Sequence, residues 1–145
     1  MNTQQKLIGI AAGTALLTIT GCKTLQEIAE TRQVTPPEGV TLMTESELRE
    51  TLVGNTYEGE SVNYPGSTYL EYINPDGSIK GLWDGQDRYE GKWAISGKVW
   101  CYKYKNSSGC NTLVKKGDQI FWYNLDGSTR GGKAIVVSGD PNGLN

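Results

Sequence analysis

Arg88-Tyr89-Glu90-Gly91-Lys92-Trp93-Ala94-Ile95-Ser96-Gly97-Lys98-Val99-Trp100-Cys101-Tyr102-Lys103-Tyr104 is the stretch that decides the fold. Tyr89, Gly91, Trp93 and Ile95 share one parity while Arg88, Glu90 and Lys92 share the other, the period-two pattern of a strand with one face in a core. Ser96-Gly97 then breaks the run with turn chemistry, and Trp100, Tyr102 and Tyr104 resume the alternation against Val99 and Cys101. Two strands joined so tightly make a hairpin.

Outward from this hairpin the chain repeats itself in kind. Runs rich in Tyr, Trp, Ile, Val and Thr recur near residues 55–61, 67–73, 78–84, 88–96, 98–104, 110–115, 119–124 and 131–138. Between them stand Asn74-Pro75-Asp76-Gly77, Asn106-Ser107-Ser108-Gly109, Lys116-Gly117-Asp118 and Asp126-Gly127, all turn formers. Consecutive antiparallel strands with short turns either close on themselves or leave two exposed edges, and closure is the usual solution. The expectation is therefore an all-β domain, an up-and-down antiparallel barrel or strongly curved sheet of about eight strands. One short helix opens it: Thr44-Glu45-Ser46-Glu47 has capping-box spacing, Leu48 and Leu52 share a face, and Gly54 stops the turn.

Four Trp, eight Tyr and one Phe are more than a narrow barrel interior comfortably holds. Trp100, Tyr102 and Tyr104 on the fifth strand, and Phe121 and Tyr123 on the seventh, alternate against Val99, Cys101, Ile120 and Trp122, so both faces of this region are apolar. That predicts either packing by the helix around Leu48 and Leu52 or an aromatic recognition patch, and these five aromatics are the candidate binding residues. Gly81-Leu82-Trp83 and Gly91-Lys92-Trp93 repeat a Gly-x-Trp element on adjacent strands, read as glycine permitting a bend while tryptophan fills the core.

The N-terminus carries an address. A mostly apolar run from Leu7 to Ile19 follows Lys6, too short to span a bilayer of about 30 Å. Ile19-Thr20-Gly21-Cys22 then reads as a lipobox, with a small residue before a thiol that a diacylglycerol alkylates. Residues 1–21 are thus a lipoprotein signal peptide, 22–40 a lipidated N-terminus and flexible tether containing Thr35-Pro36-Pro37-Glu38-Gly39, and 41–145 the barrel domain. Leu25, Ile28 and Ala29 suit a turn of helix too short to stand alone. Lys23 follows the cysteine where an aspartate would retain the protein at the inner membrane, so the expected location is the outer membrane, lipid-anchored and facing the periplasm.

Cys101 and Cys110 are then left as a pair in an exported chain, for which a disulfide is the default. The chain contains no histidine, which removes Ser-His-Asp triads, Cys-His pairs and histidine metal sites. No metal or cofactor is expected. With 14 basic and 16 acidic residues interspersed and a net charge of -2, no basic stripe suits nucleic acid. Carboxylate pairs acting on a glycoside would have to come from Glu58, Glu60, Glu71, Asp84, Asp87 and Glu90, and their spacing selects none.

The string from Asn55-Thr56-Tyr57 through Asp76-Gly77, Gly91-Lys92-Trp93, Trp100-Cys101, Cys110 and Asp126-Gly127 resembles a family of small exported alphaproteobacterial proteins of unknown function with a lipocalin-like barrel. A weaker resemblance is to membrane-bound inhibitors of C-type lysozyme, also lipidated and disulfide-bonded, although their Ser-Gly active loop and paired tryptophans are missing. The expected function is a noncatalytic outer-membrane lipoprotein, a binding or envelope-support module whose partners are the membrane, through its anchor, and a cell-envelope glycan or protein. An inhibitor of a cell-wall hydrolase such as lysozyme is the alternative, and a glycan hydrolase using paired carboxylates ranks below it.

Overall fold

The computed structural model describes residues 21–145, so most of the expected signal peptide, including Ile19 and Thr20 of the lipobox, lies outside the described residues. Eight strands follow two short helices: α1 Leu25–Glu30, α2 Glu45–Leu52, β1 Thr56–Glu60, β2 Thr68–Ile73, β3 Ser78–Trp83, β4 Asp87–Ser96, β5 Val99–Tyr104, β6 Ser108–Lys116, β7 Gln119–Tyr123 and β8 Thr129–Val137. Each strand pairs with its neighbour in the chain, and β1 pairs antiparallel with β8, from Thr56 opposite Val137 to Gly59 opposite Ala134. The sheet is therefore a closed up-and-down barrel, with no edge strand left open. Among the described residues no helix is long and apolar enough to cross a membrane.

One end of the barrel is plugged by α2. Its N-terminus is capped as its sequence requires: the Glu47 amide donates to Thr44 Oγ1 at 3.3 Å, and the Thr44 amide donates to Glu47 Oε2 at 2.7 Å. Leu48 and Leu52 are fully buried against Ile73, Ile79, Ile95, Leu113 and Ile120. Burial of each leucine contributes about 1.5–3 kcal/mol. Polar contacts fix the helix to the sheet ends: Glu45 Oε2 accepts the Gly97 amide at 2.8 Å, and Arg49 Nη2 donates to the Ile95 carbonyl at 3.3 Å.

The outer wall has its own small core. Ala94, Val99 and Cys101 present short side chains on the outside of β4 and β5, and Ala29 of α1 packs against them with Leu25 and Ile28 beside it. Thr24 and Glu27 give α1 a second capping box. Gln26 Nε2 donates to the Ile95 carbonyl at 3.1 Å, and farther on the Thr35 amide donates to the Leu125 carbonyl at 2.8 Å. Two expectations change here. The stretch read as a spacer over 22–40 is laid along the barrel from Thr24 to Thr35, because a helix too short to stand alone gains an apolar wall. The outer apolar face of β5 is covered by α1, whereas the helix of Leu48 and Leu52 enters the barrel end. Cys101 and Cys110, directly opposed on β5 and β6, form a disulfide with Cα atoms 4.1 Å apart, beneath this outer core.

Candidate functional site

The end of the barrel away from α2 opens into a cavity of about 900 Å³. Its existence follows from four glycines. On the inner wall Gly59 pairs with Tyr69, Gly81 with Tyr89, Gly91 with Tyr104 and Gly109 with Tyr102. Each tyrosine ring lies against the space its glycine leaves. A Cβ on Gly81 would fall 2.2–2.6 Å from three ring carbons of Tyr89, and one on Gly91 would fall 2.5 Å from Tyr104 Cδ1. Rings pressed onto the wall leave the axis empty, where rings standing into it would fill it. The Gly-x-Trp glycines thus act as seats for tyrosines across the strand pair, a different role from the bend expected of them. Trp83 meets Tyr64 edge-on at 5.9 Å, and Trp93 stacks on the buried Trp100 at 5.9 Å.

The cavity floor is organised by one carboxylate. Tyr57, Glu71, Gly81 and Tyr89 are successive cross-strand partners on β1 to β4. Because Gly81 has no side chain, Tyr89 reaches over β3 and donates its hydroxyl to Glu71 Oε1 at 2.6 Å. Tyr104 crosses Gly91 in the same way and donates to the same oxygen at 2.6 Å, while Tyr57 donates to Oε2. Glu71 is only 5% exposed, and it has no ion-pair partner among the described residues. Burial pushes its carboxyl pKa up, opposed by the hydrogen bonds of Tyr104, Tyr57 and Tyr89. Burial, reinforced by the Glu71 charge, holds the phenols of Tyr57, Tyr89 and Tyr104 well above the usual range, so they remain protonated donors. Tyr69 is pushed up to about 12, chiefly by burial.

Nearer the mouth, Arg130 on β8 donates from Nη1 to Asn111 Oδ1 at 2.5 Å and to the Tyr102 hydroxyl at 3.0 Å. Its guanidinium also lies 5.6 Å from the centre of the Tyr102 ring. Val62 and Tyr64, in the β1–β2 loop, are exposed apolar side chains on the rim.

Of the five aromatics expected to bind, Trp100, Tyr102 and Tyr104 line this cavity. Phe121 and Tyr123 do not; their parity on β7 is the outer one, and Trp122 lines the cavity in their place. Lys116 Nζ sits 5.3 Å from the Phe121 ring centre. The acids considered for glycoside chemistry are scattered over local tasks. Glu90 pairs with Lys80 at 2.6 Å, Asp84 accepts the Thr68 amide at 2.7 Å, and Glu60 accepts the Gly66 amide at 2.8 Å. Among the described residues no group of three or more Cys, Asp or Glu is placed to hold a metal ion. Glu71 itself was only one of six candidate acids in the sequence. What singles it out is register, since its partners come from β1, β4 and β5.

Comparison with protein-family models, with characterised proteins and with solved structures finds no match to this chain.

Proposed function

We propose that this protein is a noncatalytic lipoprotein of the outer membrane, anchored through Cys22, whose barrel binds a small molecule in its open end. The observation that carries the binding reading is the aromatic cavity of about 900 Å³ over a buried, hydrogen-bonded floor. That volume lies toward the upper end of the roughly 300–1,000 Å³ typical of small-molecule sites, and apolar walls with a few fixed polar groups are their usual lining. A binding role fits better than turnover, because the Glu71 carboxylate of the floor is enclosed by three phenols that occupy both of its oxygens. The anchor rests on the Gly21-Cys22 sequence, with Cys22 exposed and outside the disulfide.

Two measurements test this. A neutral apolar dye such as 1-anilinonaphthalene, titrated into the protein, should bind saturably and quench emission from Trp100 and Trp122. Absence of saturable binding by dyes and by extracted envelope small molecules would remove the binding role. A palmitate analogue should label the wild-type chain and fail to label Cys22→Ala, whereas equal labelling of both would remove the anchor.

A further inference from the structure

The binding reading leaves open what chemistry the cavity selects, and Glu71 bears on that. A buried carboxylate is normally held beside a cation, since desolvating an unpaired charge is costly. Glu71 has hydrogen-bond donors but no cation: the two ion pairs among the described residues are Glu45 with Arg49 and Glu90 with Lys80. Arg130, a cation of the cavity wall, is engaged by Asn111 and Tyr102. Arg88 and Lys105 also line the cavity, but among the described residues neither forms an ion pair with Glu71, so the floor carboxylate has no counter-charge of its own.

The walls supply the other half of the argument. Tyr89 lies on Gly81 through three ring carbons and Tyr104 on Gly91 through Cδ1 and Cε1, and both rings line the cavity. Their rings meet at 77°, and Tyr57 meets Tyr69 at 81° and Trp122 at 65°. Each such contact uses the edge of one ring and a face of its neighbour, and the faces not used in these pairs carry the negative side of the ring quadrupole. The protein already seats one cation on this wall, the Arg130 guanidinium over Tyr102.

Resting on the binding reading, we infer that the cavity takes an organic cation of the quaternary ammonium class, held by the tyrosine and tryptophan faces with Glu71 as its counter-charge. A methylated ammonium fits better than a primary one. The carboxylate has about four acceptor positions, and three are already taken by phenols, so little remains for N–H donors, whereas a quaternary head needs only charge and ring faces.

The test uses the chain processed at Cys22, in nonionic detergent, and compares choline and benzyltrimethylammonium with 3,3-dimethyl-1-butanol, the neutral carbon analogue of choline. Calorimetry should show choline binding at least tenfold more tightly than the alcohol, a comparison that needs no variant. Glu71→Gln should lower affinity for both cations at least tenfold while leaving circular dichroism unchanged. Equal affinity for choline and the alcohol would overturn the inference, as would unchanged cation affinity in a folded Glu71→Gln protein. Dye binding without cation binding would overturn it and leave the binding role standing. Failure of cations, alcohol and dye together would overturn both.

Discussion

Gly81 has an importance out of proportion to its size, because it is the gap through which a tyrosine on β4 reaches a glutamate on β2. Gly81→Ala places a methyl group inside the Tyr89 ring, so the ring must lift from the wall and give up its bond to Glu71. The expected loss is about 1–3 kcal/mol, seen as a lower denaturant midpoint, with weaker dye binding as the displaced ring enters the cavity. Glu71 itself predicts a pH signature. Its pKa is raised in the folded state, so the folded protein holds the proton more tightly than the unfolded chain. Its contribution is full below the ordinary carboxylate value of 4.5 and is lost as pH rises through the raised value. The groups around it, Tyr57, Tyr89 and Tyr104, titrate far above that window. Wild-type stability relative to Glu71→Gln should therefore fall with increasing pH, by up to about 1.4 kcal/mol per pH unit, when urea unfolding of both is followed upward from pH 4. A stability difference independent of pH would contradict this. Little of this could be read from the sequence. The parity of Tyr89, Gly91, Trp93 and Ile95 was legible, but a seat for a ring exists only once a strand pair has a register. Parity also could not decide which face of β7 turns inward, since Phe121 and Tyr123 are as apolar as Ile120 and Trp122.

The two helices show when an element can be read from sequence and when it cannot. α2 declares itself through a capping box and two leucines on one face, and its burial follows from them. α1 has the same capping spacing at Thr24 and Glu27, yet its six residues give no sign of where they dock. That depends on the small outer side chains of Ala94, Val99 and Cys101, which lie about seventy residues away in the chain and meet the helix only after the hairpin forms. Ala29, 2% exposed, is the contact to test. Ala29→Asp would bury an unpaired carboxylate against an apolar wall, so α1 should release while the barrel, closed by its own ladders, persists. Tryptic cleavage at Lys23 or Arg32 should accelerate at least tenfold, with the far-ultraviolet signal of the barrel retained. An unchanged cleavage rate would mean that α1 contributes no protection.

At the scale of the molecule, the architecture was the most legible property. Regular spacing of strands and turns implied an antiparallel barrel because every short connection forces a hairpin, and the structure settles closure by joining β1 to β8. The disulfide also belongs to this scale, since it constrains the whole unfolded ensemble. Replacing Cys101 and Cys110 together by Ala should cost roughly 2.5–3 kcal/mol on the chain-entropy estimate for a separation of 9 residues, and calorimetry should show a melting temperature lower by roughly 10–13 °C. An unchanged melting temperature would assign the stability of this hairpin to its ladder and to α1 alone. The docked helix has a consequence for movement as well. Were residues 23–40 a free leash, the barrel could wander about 60 Å from its anchoring point. With α1 fastened to the wall from Leu25, only Lys23 and Thr24 separate the helix from Cys22, a slack of about 10 Å. If Cys22 is acylated as proposed, it is then less a rope than a short stalk, holding the barrel close to the bilayer.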